Sequence, residues 1–184
     1  MNKDFEYIIR IKRYILLATI IFIFSMVVGA TISYKEHEKS KDIAKDISSI
    51  IPKKTTKFEQ ILIILRNNII NSLLGLIGTG IPIMIYDGFI FGMIFKFMGS
   101  HGYIYLFGII PHFMIETSAL MISSGIGIRF IYVTYMFLSN KQIKIKDELV
   151  RGFSIYVKLI VPMIIIAAFI ETFITPSLFK ILIN

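Results

Sequence analysis

The chain has no cysteine and no tryptophan, and only 12 of its 184 residues are acidic. Without cysteine there are no disulfides and no thiolate metal ligands, and the redox compartment goes unmarked. Charge of either sign is scarce, at 17% of residues. Catalytic signatures are missing too. Nothing matches a nucleophile elbow, an H-E-x-x-H helix or a P-loop, and the scattered Ser and His residues suggest no triad. The expectation is a protein that is not an enzyme and carries no cofactor.

What the chain does have is apolar residues, at 55%, with a mean hydropathy of +0.75. A soluble domain of this size cannot hide so much apolar surface. The 21 residues Tyr14–Tyr34 and the 20 residues Asn67–Tyr86 carry one charge-free run each. Runs of about 20 residues at about 1.5 Å each cross a hydrocarbon core. The fold class is therefore all-α: a polytopic transmembrane helical bundle, one integral membrane domain over residues 1–184. The net charge of +8 reads as lysine and arginine flanking spans and meeting anionic headgroups. No basic helix with interleaved aromatics stands outside the spans. The expected partner is the lipid bilayer and not nucleic acid.

Organisation along the chain supports about five spans. Residues 1–13 form a basic lead, followed by span one at Tyr14–Tyr34. Val28-Gly29-Ala30 would pass as a signal-peptide cleavage site, but the apolar run is longer than a usual signal core. Residues 35–60 form a polar loop with seven lysines and five acids. Within it, Ile43, Ile47, Ile50 and Ile51 fall at helical spacing and suit an amphipathic helix, with a solvated connector as the alternative. Span two covers Ile61 to Tyr86. Asn67, Asn71, Gly75, Gly78 and Pro82 fall within about 80° of arc on it, a polar and small stripe suited to helix contact or to a conduction path.

Asp87-Gly88 reads as a turn. Residues 88–110 read as one broken or tilted span, or a re-entrant segment, interrupted at Gly99-Ser100-His101-Gly102. Gly88 and Gly92 form a G-x-x-x-G packing pair. Pro111 restarts a helix running to Leu138. A basic loop over 139–152 and a last span over Phe153–Thr175, closed by Pro176, complete the chain. With five crossings, residues 1–13 and 139–152 share one side, and the positive-inside rule makes it cytoplasmic. The lysines of 35–60, on the other side, run against that rule.

The stretch "GIIPHFMIETSAL" places an imidazole and a carboxylate four residues apart in an apolar helix. His112, Glu116, Ala119, Ser123 and Gly127 lie within about 80° of one another. An ionisable group facing lipid is costly and a small face invites another helix. The pair is therefore expected to face the bundle interior. Glu116 would bond His112 or the Asn67/Asn71 stripe, or the group would serve as a proton or ion relay. Arg129 lies about 140° from Glu116 and is not its obvious partner on that helix. A metal site would draw on His101 and Asp87, but no tight ligand spacing supports one.

"NNIINSLLGLIGTGIPIMIYDGFIFG" followed by "GIIPHFMIETSALMISSGIGIR" resembles the stage II sporulation protein M family of integral membrane proteins. The family pattern runs from Asn- and Gly-rich apolar residues through an Asn-Gly turn to Pro-His-Gly-x-x-Glu, with small residues behind. Here Asp87 stands in place of the Asn and Phe113 in place of the second Gly, while Gly88, Pro111, His112 and Glu116 match. The resemblance implies a non-enzymatic scaffold that organises partner proteins at the membrane; in spore formers these are cell-wall hydrolases. Its partners would be membrane or extracytoplasmic proteins, or a second copy in a homo-oligomer. The competing expectation is a transport or channel component, with Asn67, Asn71, His112 and Glu116 lining a polar path.

Overall fold

The computed structural model describes residues 3–35, 56–97, 102–139 and 145–178. The described residues are almost all helical and contain no strand. Among the described residues, four helical stretches are long and apolar enough to cross a membrane. The second of them, Lys57–Lys96, doubles back on itself, so the bundle has five legs. We name them α1 (Lys3–Lys35), α2 (Lys57–Leu74), α3 (Gly80–Phe97), α4 (Gly102–Leu138) and α5 (Ile145–Leu178). The predicted amphipathic helix within 35–60 lies outside the described residues.

The reversal falls at Gly78, not at Asp87-Gly88. Gly78 has φ 99° and ψ −1° within a wide turn over Gly75–Thr79, a left-handed conformation that only glycine adopts freely. Contacts with α4 show the change of direction. On α2, Asn68 faces Glu116, Ser72 meets Ser123 and Gly75 meets Gly127. Beyond the turn the order inverts: Gly80 meets Ser124, Asp87 returns to Glu116, and Phe91 stacks on Phe113 at 4.0 Å. With 18 residues, α2 and α3 each span about 27 Å at 1.5 Å per residue.

Asp87 and Gly88 sit in the middle of α3. Gly88 is buried because α1 crosses there: a methyl group on it would stand 2.6 Å from the Phe22 carbonyl. The 88–110 segment is therefore not one span. Residues 88–97 finish α3 and residues from 102 open α4, with 98–101 outside the described residues. Pro111 does not restart a helix, since α4 passes through it. An internal proline costs one hydrogen bond, which a membrane helix tolerates when its neighbours take up the freed groups.

The last leg begins at Ile145, earlier than the 153 expected from hydropathy, and runs through Pro176. Its two prolines each follow a π-helical turn. Tyr156–Ile160 precedes Pro162, and Ile170–Ile174 precedes Pro176. The proline ring crowds the carbonyl four residues back, and a wider turn there gives that carbonyl room.

Small residues set the spacing between legs. α1 and α3 run parallel and touch backbone to backbone, with Gly29 against the Phe89 carbonyl and Gly92 against the Met26 carbonyl. The Gly88/Gly92 pair thus packs as its spacing predicts. Gly29, inside the would-be cleavage site, belongs to the same seam. Lipid offers little hydrophobic drive between helices, so close dispersion contact and interhelical hydrogen bonds hold them. Ser25 donates to the Ile85 carbonyl at 2.5 Å. The core is Tyr7, Ile11, Ala119, Ile126, Ile155, Tyr156, Ile160 and Ile164. A smaller cluster of Ala18, Phe22 and Met84 lies beneath the α1–α3 seam.

Candidate functional site

Three legs bring polar groups to one place inside the bundle. α2 supplies Asn68, Asn71 and Ser72; α3 supplies Asp87; α4 supplies Glu116 and Thr117. They line a cavity of about 110 Å³, walled by Phe22, Phe113, Leu120 and Ile164. Asn68 pairs with the Glu116 side chain, and the carboxylates of Asp87 and of Glu171 on α5 lie within electrostatic reach of it. A carboxylate among aromatic and aliphatic walls is costly unless paired, and Asn68 is the partner that compensates Glu116. Among the described residues, no group of three or more His, Asp or Glu converges closely enough to hold a metal ion.

The predicted residues divide. Glu116, Asn71 and Asp87 meet at the cavity. Asn67 is exposed, and Asn68 takes the place expected of it. Pro82 leaves the predicted stripe because the chain has already reversed at Gly78. His112 is buried but turns away from Glu116. Its Nδ1 bonds the Thr175 hydroxyl at 3.0 Å, tying α4 to the end of α5. Pro111 lies one residue before it on α4, and Gly88 lies on the α1 seam, away from the cavity.

Below the cavity the polar groups pair with one another. The Ser123 hydroxyl donates to the Ser72 carbonyl. The Ser72 hydroxyl shares a 3.1 Å hydrogen bond with Tyr156, which donates to the Ile69 carbonyl at 3.2 Å. Beneath that, Gly75 and Gly127 bring two backbones together. Ser124 adds a buried hydroxyl that has no partner among the described residues.

Arg129 belongs to a second buried group near the amino-terminal end of the bundle. Its Nε meets Glu148 Oε1 at 2.5 Å and its Nη2 meets Oε2 at 3.2 Å. The Tyr14 ring lies 5.9 Å from the guanidinium. Tyr7 is fully buried beside Glu148, without a hydrogen bond of regular geometry. Glu148 escaped the sequence reading because 139–152 reads as a solvated basic loop. Its signal was the amphipathic spacing of Glu148, Gly152 and Ile155, which together form the buried face of that segment.

A polytopic helical membrane bundle with a polar cavity between its legs is the class that fold and site define. The profile of Stage II sporulation protein M matches residues 18–176, and the chain belongs to that family. An uncharacterized protein of Methanocaldococcus jannaschii is 30% identical over 171 residues, covering 89% of this chain and 94% of the relative. No solved structure matches.

Proposed function

We propose that the chain is a non-enzymatic membrane scaffold that holds partner proteins at the bilayer. The floor of the polar cavity supports this reading. A conduction path needs polar groups from one face to the other, yet below Ser72 the legs touch through glycine backbones. The nearest ionic group beyond that point is the Arg129–Glu148 pair, which satisfies itself. The cavity then acts as a hydrogen-bonded joint, in which Glu116 on α4 and Asn68 on α2 hold the two legs in register. The amino terminus and the 140–144 connector face the cytoplasm in this proposal, and residues 36–55 face outward to meet partners.

A second reading has its own observation: the carboxylates of Asp87 and Glu171 lie within electrostatic reach of Glu116, an arrangement suited to moving protons or cations. Purified protein in sealed vesicles separates the two. Absence of proton or sodium flux under an imposed potential, together with site-specific cross-links from residues 36–55 to the same protein in native membranes, is the expected result. Flux abolished by Glu116→Gln would overturn the scaffold.

A further inference from the structure

At the other end of the bundle, away from the carboxylates, lies a second cavity. It measures about 280 Å³ and is bounded by α2, α4 and the start of α5. Leu73, Ile77, Phe130, Leu149 and Phe153 line it. Of these, Leu73, Ile77, Leu149 and Phe153 are each 42–57% exposed. In a spanning bundle such residues meet lipid, so the groove opens sideways into the bilayer. Its one charged wall residue, Glu148, is held by Arg129 and offers no free charge to the interior.

We propose that this groove binds one acyl chain of an anionic phospholipid in the leaflet on the amino-terminal side. The lining argues for an alkyl chain: Leu73, Ile77, Phe130, Leu149 and Phe153 offer it only apolar contact, and acyl chains are the solvent at that depth of a bilayer. Charge argues for the headgroup. Lys146 is exposed and stands three residues before Leu149 in the first turn of α5. A flexible lysine there reaches an anionic phosphate while its stem lies along the apolar surface.

The absence of tryptophan from the chain makes the test direct. Phe130→Trp places a single indole at the back of the groove, and Leu76→Trp, on the Gly75–Thr79 turn that also lines it, does the same should the first variant fold poorly. Each is reconstituted in vesicles containing phosphatidylglycerol or phosphatidylcholine brominated on the acyl chain. The expected result is quenching with a preference for phosphatidylglycerol on the order of fivefold, the effect of one basic residue near the surface. Lys146→Gln should bring that preference near unity while quenching persists. Phe24→Trp, on an ordinary lipid face (70% exposed), should show no preference. An indole quenched by neither lipid, as when protein fills the groove, would overturn the proposal. So would equal quenching by both lipids, which marks unselective annular lipid.

Discussion

Arg129 on α4 grips Glu148 on α5 with two hydrogen bonds, and the two side chains are only 12% and 8% exposed. A short connector separates the two helices in sequence, and this pair locks their junction near the amino-terminal end of the bundle. Breaking one partner of a buried pair costs roughly 3–5 kcal/mol, because the other charge is left uncompensated, whereas replacing both is often neutral. Arg129→Met alone should therefore lower stability in detergent by about that amount, and Arg129→Met with Glu148→Met should recover most of it. Additive losses in the double variant would show that the two side chains are not coupled.

Gly78 is the pivot of the α2–α3 reversal. Gly78→Ala forces a left-handed conformation on a residue with Cβ, costing about 1–2 kcal/mol. It also sets a methyl group 2.7 Å from the Cδ1 of Ile131. Adding Ile131→Ala should remove the second penalty and leave the first. If the combined variant regains full stability, backbone strain plays no part.

Gly92 lies where α1 and α3 touch through the Met26 carbonyl. A carbonyl cannot rotate aside as a side chain does, so Gly92→Ala must push the helices apart. The expected loss is about 1–3 kcal/mol. An introduced disulfide across this seam should form in the wild-type background and fail in Gly92→Ala.

Glu116 should tolerate an amide better than an alkyl group. Glu116→Gln keeps a partner for Asn68 and should largely preserve thermal stability. Glu116→Leu leaves the Asn68 amide without its partner and should cost roughly 1–3 kcal/mol. Equal stability of the two variants would count against the joint proposed for this site.

The carboxyl end of α1 and the amino end of α5 lie at opposite ends of the five-leg bundle. In this cysteine-free chain, Ser40→Cys and Lys144→Cys should be labelled from opposite sides by an impermeant maleimide. Under the orientation proposed above, position 144 is expected to be the one labelled from the cytoplasmic side. Labelling of both positions from one side would contradict the five-leg arrangement.

A bundle of about five apolar legs was legible in the sequence, while their bounds and the places where the chain turns were not. Hydropathy sees both halves of the α2–α3 stretch as apolar and is blind to direction. The sign of reversal was the run Gly75, Gly78, Gly80, Pro82, with glycines ending one helix and a proline within the first turn of the next. As a stripe on one straight helix, the same residues suggested packing. Asp87-Gly88 showed the opposite failure. A dipeptide typical of turns sits in mid-helix because α1 approaches Gly88 and the cavity takes Asp87.

Local chemistry determined that this chain lives in lipid, that it is helical, and that Glu116 faces inward. Each follows from the solvation of single residues and the helical repeat, which the sequence carries within a few turns. Tertiary structure alone decided the pairings: Asn68 rather than Asn67 for Glu116, Thr175 for His112, and Glu148 for Arg129. These partners lie 48, 63 and 19 residues apart. Which of two neighbouring side chains meets a distant group depends on helix rotation and crossing. Backbone contacts at Gly78, Gly92 and Gly127 set those, and no single helix specifies them.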